Sequence, residues 1–506
     1  MVQGQGALTG KQVARVLPCW LCEKLAALQE QHGQSVYLAG GTVRDLLLGY
    51  VPGDIDITVP DGAHLWAGEV AKQTGGAFVP LGREEDAARV VFHEVSVDFS
   101  AFREGAATFA EELNKRDLTI NSLGVCLDPL LEQGREIKNC LLPIVDPSGG
   151  LSDIAARKIR VTSKQAFERD PLRMVRVFRF AAVLGFDIES STGDLVRRQA
   201  SLVDHVAPER ICHELDLIMG SGRAAATLKE MAESRLLWEI LPELRQGLGM
   251  QQPASHHLDV FFHNIETLAQ MELLLRSTAH GYPERKDSIA EYLAGEDCTA
   301  ILTWAALLHD VGKPVTHVID QSRDDRITFY NHDNEGARIV RAIGKRQRWS
   351  NYVVEKVANL ISHHMRPFHL LNVARTGSVS TKACIRLIKS MGTDLAGLFL
   401  LAMADARAGQ GGMRPLNIEM ELGQLFAQVE LVQMEYVAPV LAGTPLLTGN
   451  DLIGELALVP GPHFKVILEA VLEAQMEQLI TTRDEALAMA RSIAEDMQEK
   501  SGARQR

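Results

Sequence analysis

YLAGGTVRDLLLGYVPGDIDITV, residues 37–59, is the stretch that decides how the first third of this chain is read. Residues 36–39 are apolar and strand-like, Gly40-Gly41-Thr42 supplies a turn, and residues 43–48 carry a helical pattern. A second strand is expected at 55–59. Strand side chains alternate, so Asp54 and Asp56, one residue apart on that strand, project to one side. Two anions so placed repel unless a cation lies between them, and hard carboxylate oxygens suit Mg2+. Gly40 and Gly41 stand at a helix N-terminus, where bare backbone N–H groups and the helix dipole favour phosphate. Arg44 follows one turn in.

Outward from this stretch, residues 90–99 also read as a strand, and the sheet signals stop at Asp146-Pro-Ser-Gly-Gly150. Beyond it the pattern is helical, in keeping with 6% aromatics and plentiful Leu, Ala, Glu and Met. Residues 12–32 are helical too. Cys19-Trp-Leu-Cys22 within them has metal-type spacing but no second pair, and reads as packing. The polar stretches 281–287 and 320–326 read as surface loops, and Gly409-Gln-Gly-Gly412 as a linker. No apolar run reaches the ~18–20 residues that span a bilayer, and the first residues lack a cationic-then-apolar leader. Seven scattered cysteines form no disulfide framework. The expectation is a cytoplasmic protein with no membrane partner. A net charge of −13 repels nucleic acid on average, so such a partner needs a local basic surface. Arg157 to Arg179 provides one, with eight Lys/Arg against Glu168 and Asp170.

The glycine turn and the paired aspartates have company. Lys115-Arg116-Asp117-Leu-Thr-Ile-Asn121 and Asp146-Pro-Ser-Gly-Gly150-Leu-Ser-Asp153 follow. Next come Arg169-Asp170-Pro-Leu-Arg173-Met-Val-Arg176-Val-Phe-Arg179-Phe-Ala-Ala and Pro208-Glu-Arg210-Ile-Cys-His-Glu214-Leu. In this combination the chain resembles the class II tRNA nucleotidyltransferase and poly(A) polymerase family, of the DNA polymerase β-like nucleotidyltransferase superfamily. The resemblance implies an α+β nucleotidyltransferase head with a small mixed sheet, then an all-α neck, an all-α HD domain and a helical tail. It implies Asp54 and Asp56 as catalytic carboxylates holding Mg2+, and Asp98, on HEVSVDFS, is the candidate third carboxylate. Nucleotide binding is implied for Gly40, Gly41, Arg44, Arg116, Asp117 and Asn121. Lys115 departs from the family's first arginine. Arg169 replaces its glutamate before Asp170.

Asp170 is expected as an N-cap with Pro171 at the first helical position, and Arg173, three residues on, shares its face. Cytosine and adenine both present an amino donor beside a ring-nitrogen acceptor. A carboxylate accepts from the first, and a guanidinium donates to the second. Guanine and uracil reverse the order, leaving both partners unsatisfied at a cost of ~1–3 kcal/mol per buried group. The family resemblance implies this protein-based template, with Arg176 and Arg179 continuing the face toward phosphates. The implied reaction is attack of an RNA 3′-hydroxyl on the α-phosphate of ATP or CTP, with two metals about 3.5–4 Å apart at the reacting oxygens.

Further on, Ala305-Ala-Leu-Leu-His309-Asp310-Val-Gly-Lys-Pro314 resembles the HD metal-dependent phosphohydrolase signature. Adjacent residues on a helix project about 100° apart, so His309 and Asp310 converge on one ion with help from other helices. The candidate companions are His263, His332, His363 or His364, and Asp405. Such a site suits a transition metal, Mn, Fe, Ni or Zn. The residues from Leu446 to Ile453 and the helix after Pro462 also look like the C-terminal region of HD-bearing family members.

The expected division is an N-terminal helix over 1–34, the head over 35–150, the neck over 151–235, the HD domain over 236–412 and the tail over 413–506. The expected partners are RNA, above all the tRNA 3′ end, with ATP and CTP. A tRNA substrate is favoured over poly(A) addition, because Leu81-Gly-Arg-Glu-Glu-Asp86 places acids where poly(A) members tend to show a basic-aromatic element. An HD phosphohydrolase with a non-catalytic RNA-binding head is disfavoured by the intact glycine turn and paired aspartates. CCA, CC-only and A-only addition share these motifs and stay open, as does the oligomeric state.

Overall fold

In a computed structural model, residues 6–81, 86–132, 140–277, 279, 281–323 and 325–503 are described. The acidic segment 82–85, used above against poly(A) addition, lies outside them. The chain divides into two units, Met1–Arg223 with Thr227–Ile240, and Ala224–Ala226 with Leu241–Arg506.

The first unit is built on a mixed sheet of eight strands: β1 (Ala7–Thr9), β2 (Tyr37–Ala39), β3 (Ile55–Val59), β4 (Ala77–Pro80), β5 (Ala87–Phe92), β6 (Val95–Ala101), β7 (Gly124–Cys126) and β8 (Leu141–Val145). Their order is β1-β8-β7-β2-β3-β6-β5-β4. Strand β3 runs parallel to β6, and this register sets Asp56 directly opposite Asp98. Strand alternation sends Leu38, Ile57, Val59, Val97 and Phe99 into the core with Trp66 and Val70 of the Ala63–Thr74 helix.

Three features depart from the sequence reading. The N-terminal stretch contributes β1, which pairs antiparallel with β8, so it is part of the head sheet as well as a helix. The 90–99 strand is a hairpin, β5 and β6, turning at His93 with φ +53° and carrying no Gly, Pro or Asn to announce it. After Gly150 the chain is not purely helical: Lys158–Ile159 pairs with Asp187–Ile188, and Val318–Asp320 with Arg326–Thr328.

The second unit is helical. Five helices surround one polar centre: Val260–Arg276, Cys298–Leu308, His332–Gln347, Asn351–His363 and Leu395–Ala408. The stretch 281–287 is largely exposed as expected, but it and the 409–412 linker are each anchored at one residue. Tyr282 is buried and its hydroxyl donates to Phe399 O at 2.7 Å. Gly411 N–H donates to Ser255 O at 2.9 Å, and a Cβ on Gly411 would run into the Ala254–Ser255 backbone. Thr381–Ala408 is long and apolar enough to cross a membrane by length and composition. It is two helices meeting at Gly392, with φ +52°, and 72% of its most apolar window is buried in the protein. The last helices form a cluster of their own around Leu452, Ile467, Val471, Ala486 and Ala490.

Candidate functional site

In the first unit the glycine turn and β3 are stitched together by one side chain. The Thr42 hydroxyl donates to Asp54 O at 3.2 Å and accepts from Asp56 N–H at 2.8 Å. Thr42 N–H in turn points at Asp56 Oδ2, 3.4 Å away. Gly40 has φ +69°, and a Cβ there would strike the Arg116 guanidinium and lie 3.1 Å from Asp56 Oδ2. Only glycine permits this approach. Asp54 sits one residue before β3 rather than on it, yet Asp54, Asp56 and Asp98 border the same cleft, which has a volume of about 640 Å³. Burial pushes the Asp56 carboxyl above the usual range, Arg116 opposes this, and Asp98 adds to it. Arg89 of β5, which the sequence reading missed, donates to Asp98 through Nε at 2.7 Å and Nη2 at 2.8 Å. It also reaches Asp54 Oδ2 at 3.1 Å.

Seven arginines line the cleft, so its acidic corner faces a strongly basic wall. Arg44 donates to Asn121 Oδ1 at 2.6 Å and to Asp45 at 2.8 Å. Asn121 Nδ2 donates to Asp117 Oδ1 at 3.0 Å. Arg116 donates to Thr58 Oγ1 at 3.1 Å, while its buried Nε has no hydrogen-bond partner. Burial would raise the Asp117 carboxyl, but Arg176 and Asn121 more than offset it and hold it well below the usual range. Arg176 and Arg179 border the cleft, but both already carry protein partners. Arg176 donates to Asp117 at 2.8 Å and to Glu214 at 3.1 Å, and Arg179 to Glu214 at 2.8 Å. This clamps the Leu172–Leu184 helix to the Pro208–Met219 helix. Missing from the sequence reading were Arg103, which borders the cleft, and the use of Arg210.

Asp170 lies one residue further out than expected. Pro171 caps the Leu172–Leu184 helix, and the Asp170 carboxylate accepts from Leu172 N–H at 3.2 Å and from Arg210 Nη2 at 3.0 Å. Arg173 donates to Lys115 O at 3.1 Å. Both side chains border the cleft, each with its own protein partner.

The second unit gathers histidines and aspartates around Asp310. His309 and Asp310 lie in the turn just past the Cys298–Leu308 helix, not within it, which frees both to face inward. His263 Nε2 is 3.0 Å from Asp405 Oδ1 and 3.7 Å from Asp310 Oδ2. His332 and His364 Nε2 lie 3.4 and 3.7 Å from Asp310 Oδ1. The rings are oriented from behind, His309 Nδ1 by Ala306 O at 3.0 Å, His332 Nδ1 by Phe329 O at 2.7 Å and His364 Nδ1 by Ile361 O at 2.6 Å. A carbonyl only accepts, so each Nδ1 carries the proton and leaves the Nε2 lone pair inward. Two such lone pairs, His332 and His364, face each other at 3.2 Å, and Asp310 Oδ2 lies 2.5 Å from the Lys313 ammonium and 3.3 Å from His309 Nε2. Ring nitrogens and carboxylates converging in this way fit a cation. Burial, then the neighbouring His364, holds His332 down at about 4, so its ring is neutral. Among the described residues, three overlapping groups are close enough to hold a metal: His263-His309-Asp310, Asp310-His332-His364 and His256-His263-Asp405. His256 was missed because no motif contains it. His363 does not join: its Nδ1 is 2.9 Å from both Asn359 O and Ser362 Oγ, because the helix turns it away while His364 points in.

The Poly A polymerase head domain model matches residues 36–160, the model described as "Probable RNA and SrmB- binding site of polymerase A" matches 185–248, and the HD domain model matches 278–387. An A-adding tRNA nucleotidyltransferase of Deinococcus radiodurans is 32% identical over 464 residues, 91% of this chain and 95% of that protein. The chain belongs to the tRNA nucleotidyltransferase family. A CC-adding tRNA nucleotidyltransferase of Thermus thermophilus is 30% identical over 460 residues, 90% of this chain and 93% of that protein. Among solved structures, a CCA-adding enzyme in complex with CTP has a TM-score of 0.62 at 18% identity, covering 96% of this chain and 98% of that one. The Thermotoga maritima CCA-adding enzyme complexed with tRNA has a TM-score of 0.59 at 19% identity, covering 96% and 97%. These two likenesses are of fold. Within the family, this chain is a nucleotidyltransferase whose second unit carries an HD domain with candidate metal-binding groups.

Proposed function

We propose that this chain extends the 3′ end of tRNA with C, A or both, taking CTP and ATP as donors. One observation carries the reading: Asp54 and Asp56 share a cleft with the glycine turn and with the base-reading candidates Asp170 and Arg173. The oxygen-only donor set of the aspartates fits Mg2+, which Asp54 and Asp56 would hold; bound there, Mg2+ supplies charge neutralisation at the attacking and leaving oxygens.

The protein's own residues do the rest. Gly40 and Gly41 admit the triphosphate close to backbone N–H groups, and Arg44 and Arg116 offset its charge. Asp170 and Arg173 accept from and donate to the base edge, exchanging their present partners Arg210 and Lys115 O for the base. Arg176 and Arg179, fixed by Glu214, hold the template helix in place and present the remaining N–H groups to phosphate. The RNA 3′-hydroxyl oxygen bonds to the α-phosphorus, giving up its proton to solvent, as the bond to the pyrophosphate oxygen breaks, and pyrophosphate carries away the electron pair.

In the HD domain, His263, His309, Asp310, His332, His364 and Asp405 would hold Mn, Fe, Ni or Zn, with His256 beside them. The deciding experiment incubates the protein with tRNA ending at the discriminator base, at C and at CC, and with an unstructured RNA, supplying CTP and ATP singly and together. Extension of the tRNAs by at most three nucleotides is expected; long A tracts on any RNA would favour poly(A) addition. Asp56→Ala should abolish incorporation without unfolding the protein, as read by circular dichroism, and wild-type-like incorporation would refute the assignment.

A further inference from the structure

Arg89 lies outside every motif, yet it makes the strongest contacts in the acidic corner. It stands on β5 directly opposite Asp98 of β6, and a two-point guanidinium–carboxylate grip at 2.7 and 2.8 Å fixes it there. The same Nη2 reaches Asp54 at 3.1 Å. One guanidinium thus lies between two of the three carboxylates. Among the described residues, no ion pair within 4.0 Å is found for the third, Asp56, whose near partner is the Thr42 N–H. The side chain of Arg89 is 35% exposed and that of Asp54 45%, so this contact can open without disturbing the core.

We propose that Arg89 is a resident counter-cation of the acidic corner, and that Asp98 serves as its anchor rather than as a third metal ligand. Arg89 neutralises Asp54 and Asp98 while the corner is empty, which keeps three neighbouring carboxylates from repelling one another. A divalent cation entering between Asp54 and Asp56 takes over the Asp54 oxygen, and Arg89 withdraws onto Asp98. The corner therefore binds metal less tightly than its acid count alone would give, because the incoming charge meets a positive neighbour. Arg89 acts through Asp54 and is a positioning residue. The inference rests on the reading of Asp54 and Asp56 as metal ligands.

The test measures Mn2+ binding by the full-length protein through the loss of free-ion EPR signal, with no nucleotide or RNA present. The head contribution is the binding that disappears in Asp54→Asn/Asp56→Asn. Arg89→Gln should tighten it about threefold to tenfold, and Arg89→Lys, which keeps charge but loses the two-point grip, should fall between Arg89→Gln and wild type. Asp98→Asn alone should weaken it, because the released guanidinium settles on Asp54. Added to Arg89→Gln, Asp98→Asn should weaken binding only about threefold to tenfold, the through-space effect of losing one nearby negative charge. Unchanged or weaker binding in Arg89→Gln overturns the proposal. So does a loss of about a hundredfold or more from Asp98→Asn in the Arg89→Gln background, far beyond one through-space charge, which would make Asp98 a ligand. If Asp54→Asn/Asp56→Asn removes no bound Mn2+, the metal reading itself falls, and the role of Arg89 with it.

Discussion

Arg173 and Asp170 face the cleft with their polar atoms already engaged, by Lys115 O and by Arg210. On the proposed template, base selection would be an exchange of partners, in which a cytosine or adenine edge replaces both and a uracil or guanine edge replaces neither. Arg173→Ala removes the donor to the ring nitrogen, worth ~1–3 kcal/mol, and should cut discrimination against UTP and GTP about tenfold to a hundredfold. Incorporation measured with each nucleotide alone checks this, and unchanged selectivity would count against the template. Protonation is the second residue-scale consequence. His332 is held at about 4, against 6.5 when unfolded, chiefly by burial. Its folded form resists the proton, so the stability it contributes is complete above pH 6.5 and drains away as pH falls toward 4. The effect is worth at most roughly 3 kcal/mol. In metal-stripped protein, the melting temperature should drop across that window, and His332→Gln should flatten the drop.

The Leu172–Leu184 helix owes its position to a carboxylate on another helix. Glu214 is buried and binds both Arg176 and Arg179, while Arg179 stacks on Phe180 with its guanidinium 3.5 Å from the ring centroid. Glu214→Ala leaves two partly buried cations with one fewer anion and should cost about 3 kcal/mol. The first transition in urea should shift accordingly, and nucleotide selectivity should loosen with it. A Glu214→Ala protein with unchanged midpoint would show that the clamp contributes nothing. The sequence announced both helices by periodicity, capping and motif. It did not announce that their charges are spent on each other, because a basic stripe looks the same in one dimension whether its partner is phosphate or a buried glutamate. The β5–β6 hairpin was hidden for a similar reason: its turn at His93 lacks the residues that mark turns, so the two strands read as one.

The two candidate sites belong to different units. All head residues named here belong to the first unit, and all histidine-centre residues to the second. His309→Ala should lower transition-metal content, measured by elemental analysis, while leaving nucleotide incorporation intact; loss of both would mean the two sites are coupled. The sequence by itself determined the strand-turn-helix of the head, the basic helix and the histidine-aspartate signature, because each depends on local periodicity or on residues a few positions apart. Tertiary structure alone decided that Arg89 lies between Asp54 and Asp98, that His364 rather than His363 enters the metal group, and that His256 stands beside it. Those outcomes depend on strand register and on which way a helix end turns, and contacts between residues 9 to 149 positions apart leave no pattern in the order of the chain.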